Sequence, residues 1–224
     1  MTFLKAEQPQ LFKDHAYKEI KKAIIQHQIE PGSMLYERSL SESLGISRTP
    51  LKLALQQLEL EGWILSVPRK GISVKTINKQ DVDEVFQLRK ANEVLAIELL
   101  IPLLNHETID KIEKADEQLY DFREDPLKFV YYDSSFHLLL AELSQNHRLY
   151  QLIHNLTDQF NWFRFAALKA GQSVDEIYYE HKLMIEGLKT RNVRQTTEAV
   201  LNHIDHAQTI IANLIDNEEN PMTH

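Results

Sequence analysis

The sequence predicts a mostly α-helical chain in two parts, a small unit of three helices closed by a β-hairpin and a larger bundle of about six helices. Three observations carry this expectation. Between Tyr36 and Leu58 two short amphipathic segments meet at Leu44-Gly45-Ile46, and Ser47-Arg48-Thr49-Pro50 opens the second of them. Soon afterwards two short apolar runs flank the turn-forming residues Pro68-Arg69-Lys70-Gly71. From about Asp81 onward apolar residues recur at helical spacing almost without interruption, and only 6 glycines occur in 224 residues.

The totals limit what such a chain can do. A hydrophobic content of 43% over 224 residues is enough for a full core and favours two modest domains. With 0 cysteines, disulfides and thiolate metal sites are excluded, so any metal must be held by His, Asp or Glu. The start MTFLKAEQPQ has no signal-peptide apolar region, and no run of about 18 apolar residues occurs, so a soluble cytoplasmic protein with no membrane partner is expected. The net charge of −8 argues against a nucleic-acid partner until it is divided by position. Residues 1–78 carry 11 Lys/Arg against 8 Asp/Glu, a balance of +3, whereas residues 79–224 carry 14 against 25, a balance of −11. A basic front on an acidic back is the asymmetry of a DNA-binding module joined to a regulatory one.

Taken in order, residues 1–10 carry no periodic signal and are expected to be disordered. Ala16, Ile20, Ala23 and Ile24 place a first helix between Leu11 and His27, stopped by Pro31-Gly32. Leu40 and Leu44 make one apolar turn of a second helix, which Gly45 ends through its access to positive φ. Ser47 or Thr49 can cap the third helix, Pro50 suits its first turn, and Leu51, Ala54, Leu55 and Leu58 form its inward stripe. Arg48 and Lys52 then fall on the exposed side near its N-terminus. Trp63 to Val67 and Ile72 to Val74 read as two strands whose turn presents Arg69 and Lys70. Three helices with such a hairpin make a winged helix-turn-helix, whose reading helix enters the major groove N-terminus first. This DNA-binding unit spans residues 11–75, followed by a short polar linker, 76–80, and a helical domain over 81–216. Within the latter, helices are expected from Val82 to Ile101, Glu107 to Phe122, Pro126 to Leu143, His147 to Lys169 with a break at Gly171, Val174 to Lys189 and Val193 to Ile215. A polar, disordered tail covers 217–224.

The run Leu40-Ser41-Glu42-Ser43-Leu44-Gly45, the segment Ser47-Arg48-Thr49-Pro50, Ala54-Leu55, Leu58-Glu59, Glu61-Gly62-Trp63 and the Lys70-Gly71 turn resemble the N-terminal domain of the GntR family of bacterial transcriptional regulators. The resemblance implies base and phosphate contacts from Arg38, Arg48 and the wing, with Ser47, Thr49, Arg69, Lys70 and Gly71 on the DNA-facing surface. The chain departs from the family at Lys52, where arginine is usual. Lysine lacks the planar fork that grips guanine, so phosphate contact is what Lys52 retains.

In the acidic half, Asp133 and His137 lie four residues apart on one helix, so carboxylate and imidazole share a face. His181 and His203, on two other helices, are the natural remaining donors, with His206 as an alternative to His203. One carboxylate with three imidazoles suits zinc first, with nickel or manganese as alternatives. This half resembles the FCD domain of the FadR-type GntR regulators, and its six helices resemble the VanR-type branch. That resemblance implies a divalent metal held by Asp133, His137, His181 and His203, and a homodimer that binds two-fold symmetric operator DNA and responds to a small organic acid. Arg89, Trp162 and Arg164 are candidates to bind that acid. Two other readings stay open: a metal-dependent hydrolase with an accessory winged helix, and a metal-free regulator taking an acyl-type ligand.

Overall fold

The computed structural model describes residues 7–67, 69–169 and 173–219. The chain divides into two compact units, Met1–Thr76 and Ile77–His224.

The first unit holds α1 (Glu7–Ile25), β1 (Met34–Leu35), α2 (Glu37–Leu44), α3 (Arg48–Leu60), β2 (Ile64–Val67) and β3 (Gly71–Val74). Ala16, Ile20 and Ile24, four apart on α1, are buried and face α3, whose Leu51, Ala54, Leu55 and Leu58 are also buried. At roughly 25 cal/mol per Å² of apolar surface, this helix pair is the main hydrophobic contribution to the unit. Gly45 ends α2 at φ 65, leaving α3 to restart two residues later at an N-cap Ser47 that makes no side-chain cap bond. The sheet has the order β1-β3-β2 and is antiparallel, with Ile64 opposite Val74 and Val67 opposite Gly71. At the hairpin tip, Arg69 adopts φ 64 and the Lys70 N–H donates to the Val67 carbonyl at 3.0 Å. Pro68, the first residue of the expected turn, lies outside the described residues.

Two details differ from expectation. Helix α1 begins at Glu7, inside the stretch 1–10 expected to be disordered; residues 1–6 lie outside the described residues. Strand β1 was not anticipated. Its two residues are too short for any periodic signal, and backbone partners hold it: Met34 pairs with Ser73, and Val74 N–H donates to the Ser33 carbonyl at 2.9 Å.

The second unit comprises α4 (Lys79–Leu100), a 3₁₀ turn (Ile101–Leu103), α5 (His106–Asp121), α6 (Pro126–Leu143), α7 (His147–Lys169), α8 (Val174–Lys189) and α9 (Val193–Glu219). Local chemistry explains the starts. The Asn78 side chain accepts from Asp81 N–H, Asn105 and Thr108 form a capping box, Asp125 caps ahead of Pro126, and Ser173 caps α8. The expected break at Gly171 lies outside the described residues, and α9 runs on to Glu219, into the stretch expected to be a disordered tail; residues 220–224 lie outside them too. Helix α9 packs on α8, α4 and α7, and α6 packs on α4, α5 and α7. The α8–α9 approach depends on Gly187, since a Cβ there would lie 2.5 Å from Thr196 Oγ1. Among the described residues no helix is long and apolar enough to cross a membrane.

Candidate functional site

Most of the bundle's inward stripes are apolar, but three of its helices bring four polar residues to one place at stripe positions. On α6, Asp133 and His137 continue the buried series begun by Phe129 and followed by Leu140 and Ala141. On α8, His181 sits between Ile177 and Met184, and on α9 His203 sits between Val200 and Ala207. The helices therefore aim these four groups at one point. Their ligand-capable atoms all lie within 4.8 Å of one another, and all four residues are buried. The three imidazole centroids are 5.1 Å (His137–His203), 5.2 Å (His137–His181) and 5.0 Å (His181–His203) apart.

Each ring has a carboxylate behind its Nδ1. His137 Nδ1 is 2.8 Å from Glu93 Oε2 on α4, His203 Nδ1 is 2.8 Å from Glu180 Oε2 on α8, and His181 Nδ1 is 3.4 Å from Asp116 Oδ1 on α5. The three Nε2 atoms and Asp133 Oδ2 are buried with no hydrogen-bond partner. Buried polar atoms without partners are costly, and the arrangement of a carboxylate behind each histidine with the far nitrogens converging is what a metal shell requires. The donors present fit a borderline divalent cation. His206 is not part of the cluster: it is 34% exposed on its side chain and its Nδ1 is 2.6 Å from Glu180 Oε1.

Electrostatics follow from this packing. Burial would raise the Asp133 carboxyl, but the Arg164 charge and the His181 imidazole, whose Nε2 is 3.4 Å from Asp133 Oδ1, hold it well below the usual carboxylate range. Arg164 Nη2 donates to Asp133 Oδ1 at 2.7 Å, both side chains being fully buried. Burial likewise opposes ionisation of Glu93, yet Arg89 and His137 pull its pKa down to about 2. His203 is pushed well below the ordinary imidazole range by burial and by the charges of His181 and His137, and burial also lowers His137. For His181 burial acts downward, but the Asp116 and Asp133 carboxylates, each 3.4 Å from one of its nitrogens, outweigh it and raise the pKa.

The expected acid-binding residues separate. Arg89 lines a cavity beside His137 and lies 3.4 Å over the Phe160 ring, with Nε bonded to Glu93. Arg164 is committed to Asp133 and does not line that cavity, although its Nε and Nη1 are buried without partners. Trp162 does not line it either; its ring stacks on Phe163 at 5.7 Å. Asp116, Glu180 and the Arg164–Asp133 pairing were not read from the sequence as parts of the centre. Asp116 had a usable signal, a carboxylate at the stripe position between Ile112 and Leu119 on α5.

In the first unit, Ser47, Arg48 and Thr49 are exposed at the start of α3, and Lys52 is exposed one turn on. Arg38 on α2 pairs with Glu42 at 2.9 Å, and Lys52 Nζ is 3.9 Å from Glu37. Arg69, Lys70 and Gly71 are exposed at the hairpin tip.

Residues 12–74 match the family described as bacterial regulatory proteins, gntR family, and residues 84–206 match the FCD domain. The chain belongs to the GntR family. Its members are transcriptional regulators and not enzymes, so this chain is a DNA-binding regulator carrying an FCD domain. The uncharacterised HTH-type transcriptional regulator YdhC of Bacillus subtilis is 29% identical over 210 residues, 92% of this chain and 93% of that one. The gluconate operon transcriptional repressor of Bacillus licheniformis is 23% identical over 203 residues, covering 88% and 83%. Among solved structures, that of E. coli McbR/YncC has the same fold, with a TM-score of 0.74 at 19% identity over 90% of this chain and 97% of that one.

Proposed function

We propose that this GntR regulator is a metal-containing, acid-responsive repressor that reads a two-fold symmetric operator as a homodimer. The observation that carries the sensor half is the convergence of unpartnered, buried donor atoms from Asp133, His137, His181 and His203. These residues would hold one divalent ion, zinc before nickel or manganese, and Glu93, Asp116 and Glu180 would orient the imidazoles from behind. A bound divalent ion would supply a positive charge and, where it prefers six ligands to the four these residues offer, positions for a ligand carboxylate. Arg48 and Lys52, at the exposed start of α3, are the groups for base and phosphate contact, joined by Arg38 and by Arg69 and Lys70 at the wing.

Support for a dimer comes from α4, where Leu88, Leu95 and Leu99 are exposed at spacings of seven and four, a narrow apolar seam suited to a second copy. Repression is proposed by kinship with the gluconate operon repressor. An effector acts only through its difference in affinity for DNA-competent and DNA-incompetent arrangements.

Elemental analysis of the purified protein, with mobility shifts on the DNA upstream of its own gene, tests the proposal. About one divalent ion per chain and a shifted complex released by a small carboxylate are expected. Metal-free protein that zinc, nickel and manganese do not stabilise thermally, yet still released from DNA by an acyl compound, would replace the metal sensor with a metal-free one.

A further inference from the structure

The cavity beside the metal cluster constrains the effector more tightly than its being an acid. It lies among α4, α6 and α7 and is partly open to solvent, so a ligand there would have one end against the protein wall. Its α7 wall is the stripe Ile153, Leu156 and Phe160, and Val85 extends the apolar surface from α4. The polar groups of the remaining wall are nearly all in use. Glu93 holds Arg89 Nε with one oxygen and lies against His137 Nδ1 with the other. The Ser134 hydroxyl donates to Asn161 Oδ1, and the Thr157 hydroxyl donates to the Ile153 carbonyl at 3.0 Å. Arg89 is the exception: its Nη1 is buried and has no hydrogen-bond partner. Among the cavity's side chains the unpartnered Nη1 group of Arg89, and the metal that His137 would hold, are therefore the features left for an anion.

We propose that the effector is a monocarboxylic acid with a compact apolar body, its carboxylate taken by Arg89 and the metal centre and its body packed on Val85, Ile153, Leu156 and Phe160. This rests on the reading of the bundle as a metal-containing acid sensor. A second carboxylate would be buried against Glu93 or against the apolar wall with no cation to meet it. Of a sugar acid's hydroxyls, those facing Ser134 and Thr157 could only donate to them, since both hydroxyl hydrogens are already given away, and the rest would be stripped of water against the apolar wall.

The test is isothermal titration of the zinc-loaded full-length protein with acetate, propionate, butyrate and 3-methylbutyrate, against succinate and gluconate. Affinity should rise about fourfold for each added methylene, the factor for burying one CH₂. Succinate and gluconate should bind about tenfold or more weakly than 3-methylbutyrate. Leu156→Asn should flatten the methylene series while zinc content stays at the wild-type level, and Leu156→Met should restore the series. Succinate or gluconate binding as tightly as 3-methylbutyrate overturns the apolar body and leaves the acid-sensor reading standing. No heat from any acid with zinc-loaded protein overturns both. Protein that takes up no zinc fails the metal reading, and the same acid series run on it still decides the body, since a flat series there overturns it.

Discussion

The charges of the bundle centre and those of the reading surface obey opposite rules. In the centre, Arg164, Asp133, Arg89, Glu93 and the three cluster histidines are buried, and nearly every one is fixed by a partner on another helix. On the reading surface, Arg38 and Lys52 are 82% and 60% exposed on their side chains and pair loosely with acids of α2. A buried charge has no water to fall back on, so removing its partner is expensive, whereas an exposed pair contributes little to folding and leaves its members available to a ligand. In the proposed regulator, sensing would thus be built from groups that cannot move independently, and reading from groups that can.

The largest effect expected from this contrast is at Arg164. Arg164→Met keeps the side-chain bulk but leaves Asp133 as an uncompensated buried carboxylate, so urea unfolding should show a loss of about 3–5 kcal/mol. A loss below about 1 kcal/mol would place that pair with the surface ion pairs and break the comparison. Next comes the proposed metal. Stripping it with a chelator should lower the thermal midpoint, the lost stabilisation being about 4 kcal/mol where free metal had stood at a thousand times its Kd. His181→Ala should abolish metal content without weakening operator binding at fixed salt, and His206→Ala should leave metal content unchanged. Normal occupancy in His181→Ala would remove it from the ligand set.

How much of this was legible in the sequence depends on whether a feature is local. The helix stop at Gly45, the hairpin around Arg69 and the helix start at Pro126 arise from residues adjacent in the chain, and periodicity with turn chemistry located them. Strand β1 escaped because its two residues are held by Ser73 and Ile72 some forty positions away. Within the centre, Asp133 and His137 were visible as an i, i+4 pair, while the choice of His203 over His206 required α8, since Glu180 lies between the two rings. The least legible parts are the carboxylates behind the histidines. Asp116 is identifiable only as a charge in an apolar stripe, and nothing local says which ring it meets. Trp162 shows the converse limit of a local reading: it lies on the same helix as the cavity wall, but α7 turns Phe160 toward Arg89 and stacks Trp162 on Phe163.

On the surface side, Arg48→Ala should weaken operator binding by about 1–3 kcal/mol, the worth of a good base contact, while its effect on urea unfolding stays within about 0.5 kcal/mol. Arg48 is exposed at the start of α3. Unchanged operator affinity would exclude it from the reading surface. An equal loss in folding and in binding would mean that the two regions do not differ in kind.

The smallest effect is the most discriminating, because its two readouts should move in opposite directions. Glu42 faces Arg38 at 2.9 Å one helical turn away, and both side chains are mostly in water. Such an i, i+4 pair stabilises a helix by about 0.3–0.5 kcal/mol, so Glu42→Gln should cost no more than that in unfolding. The same change removes a negative charge near incoming phosphates and releases Arg38, so DNA affinity at low salt should rise, by less than about 1 kcal/mol. The gain should shrink as salt is raised, because added ions screen the repulsion that Glu42 exerted. A gain independent of salt would point to a change in the shape of α2 rather than in its charge. A loss of affinity would mean that Glu42 holds Arg38 in its reading position, and that the surface charges are as interdependent as those of the core.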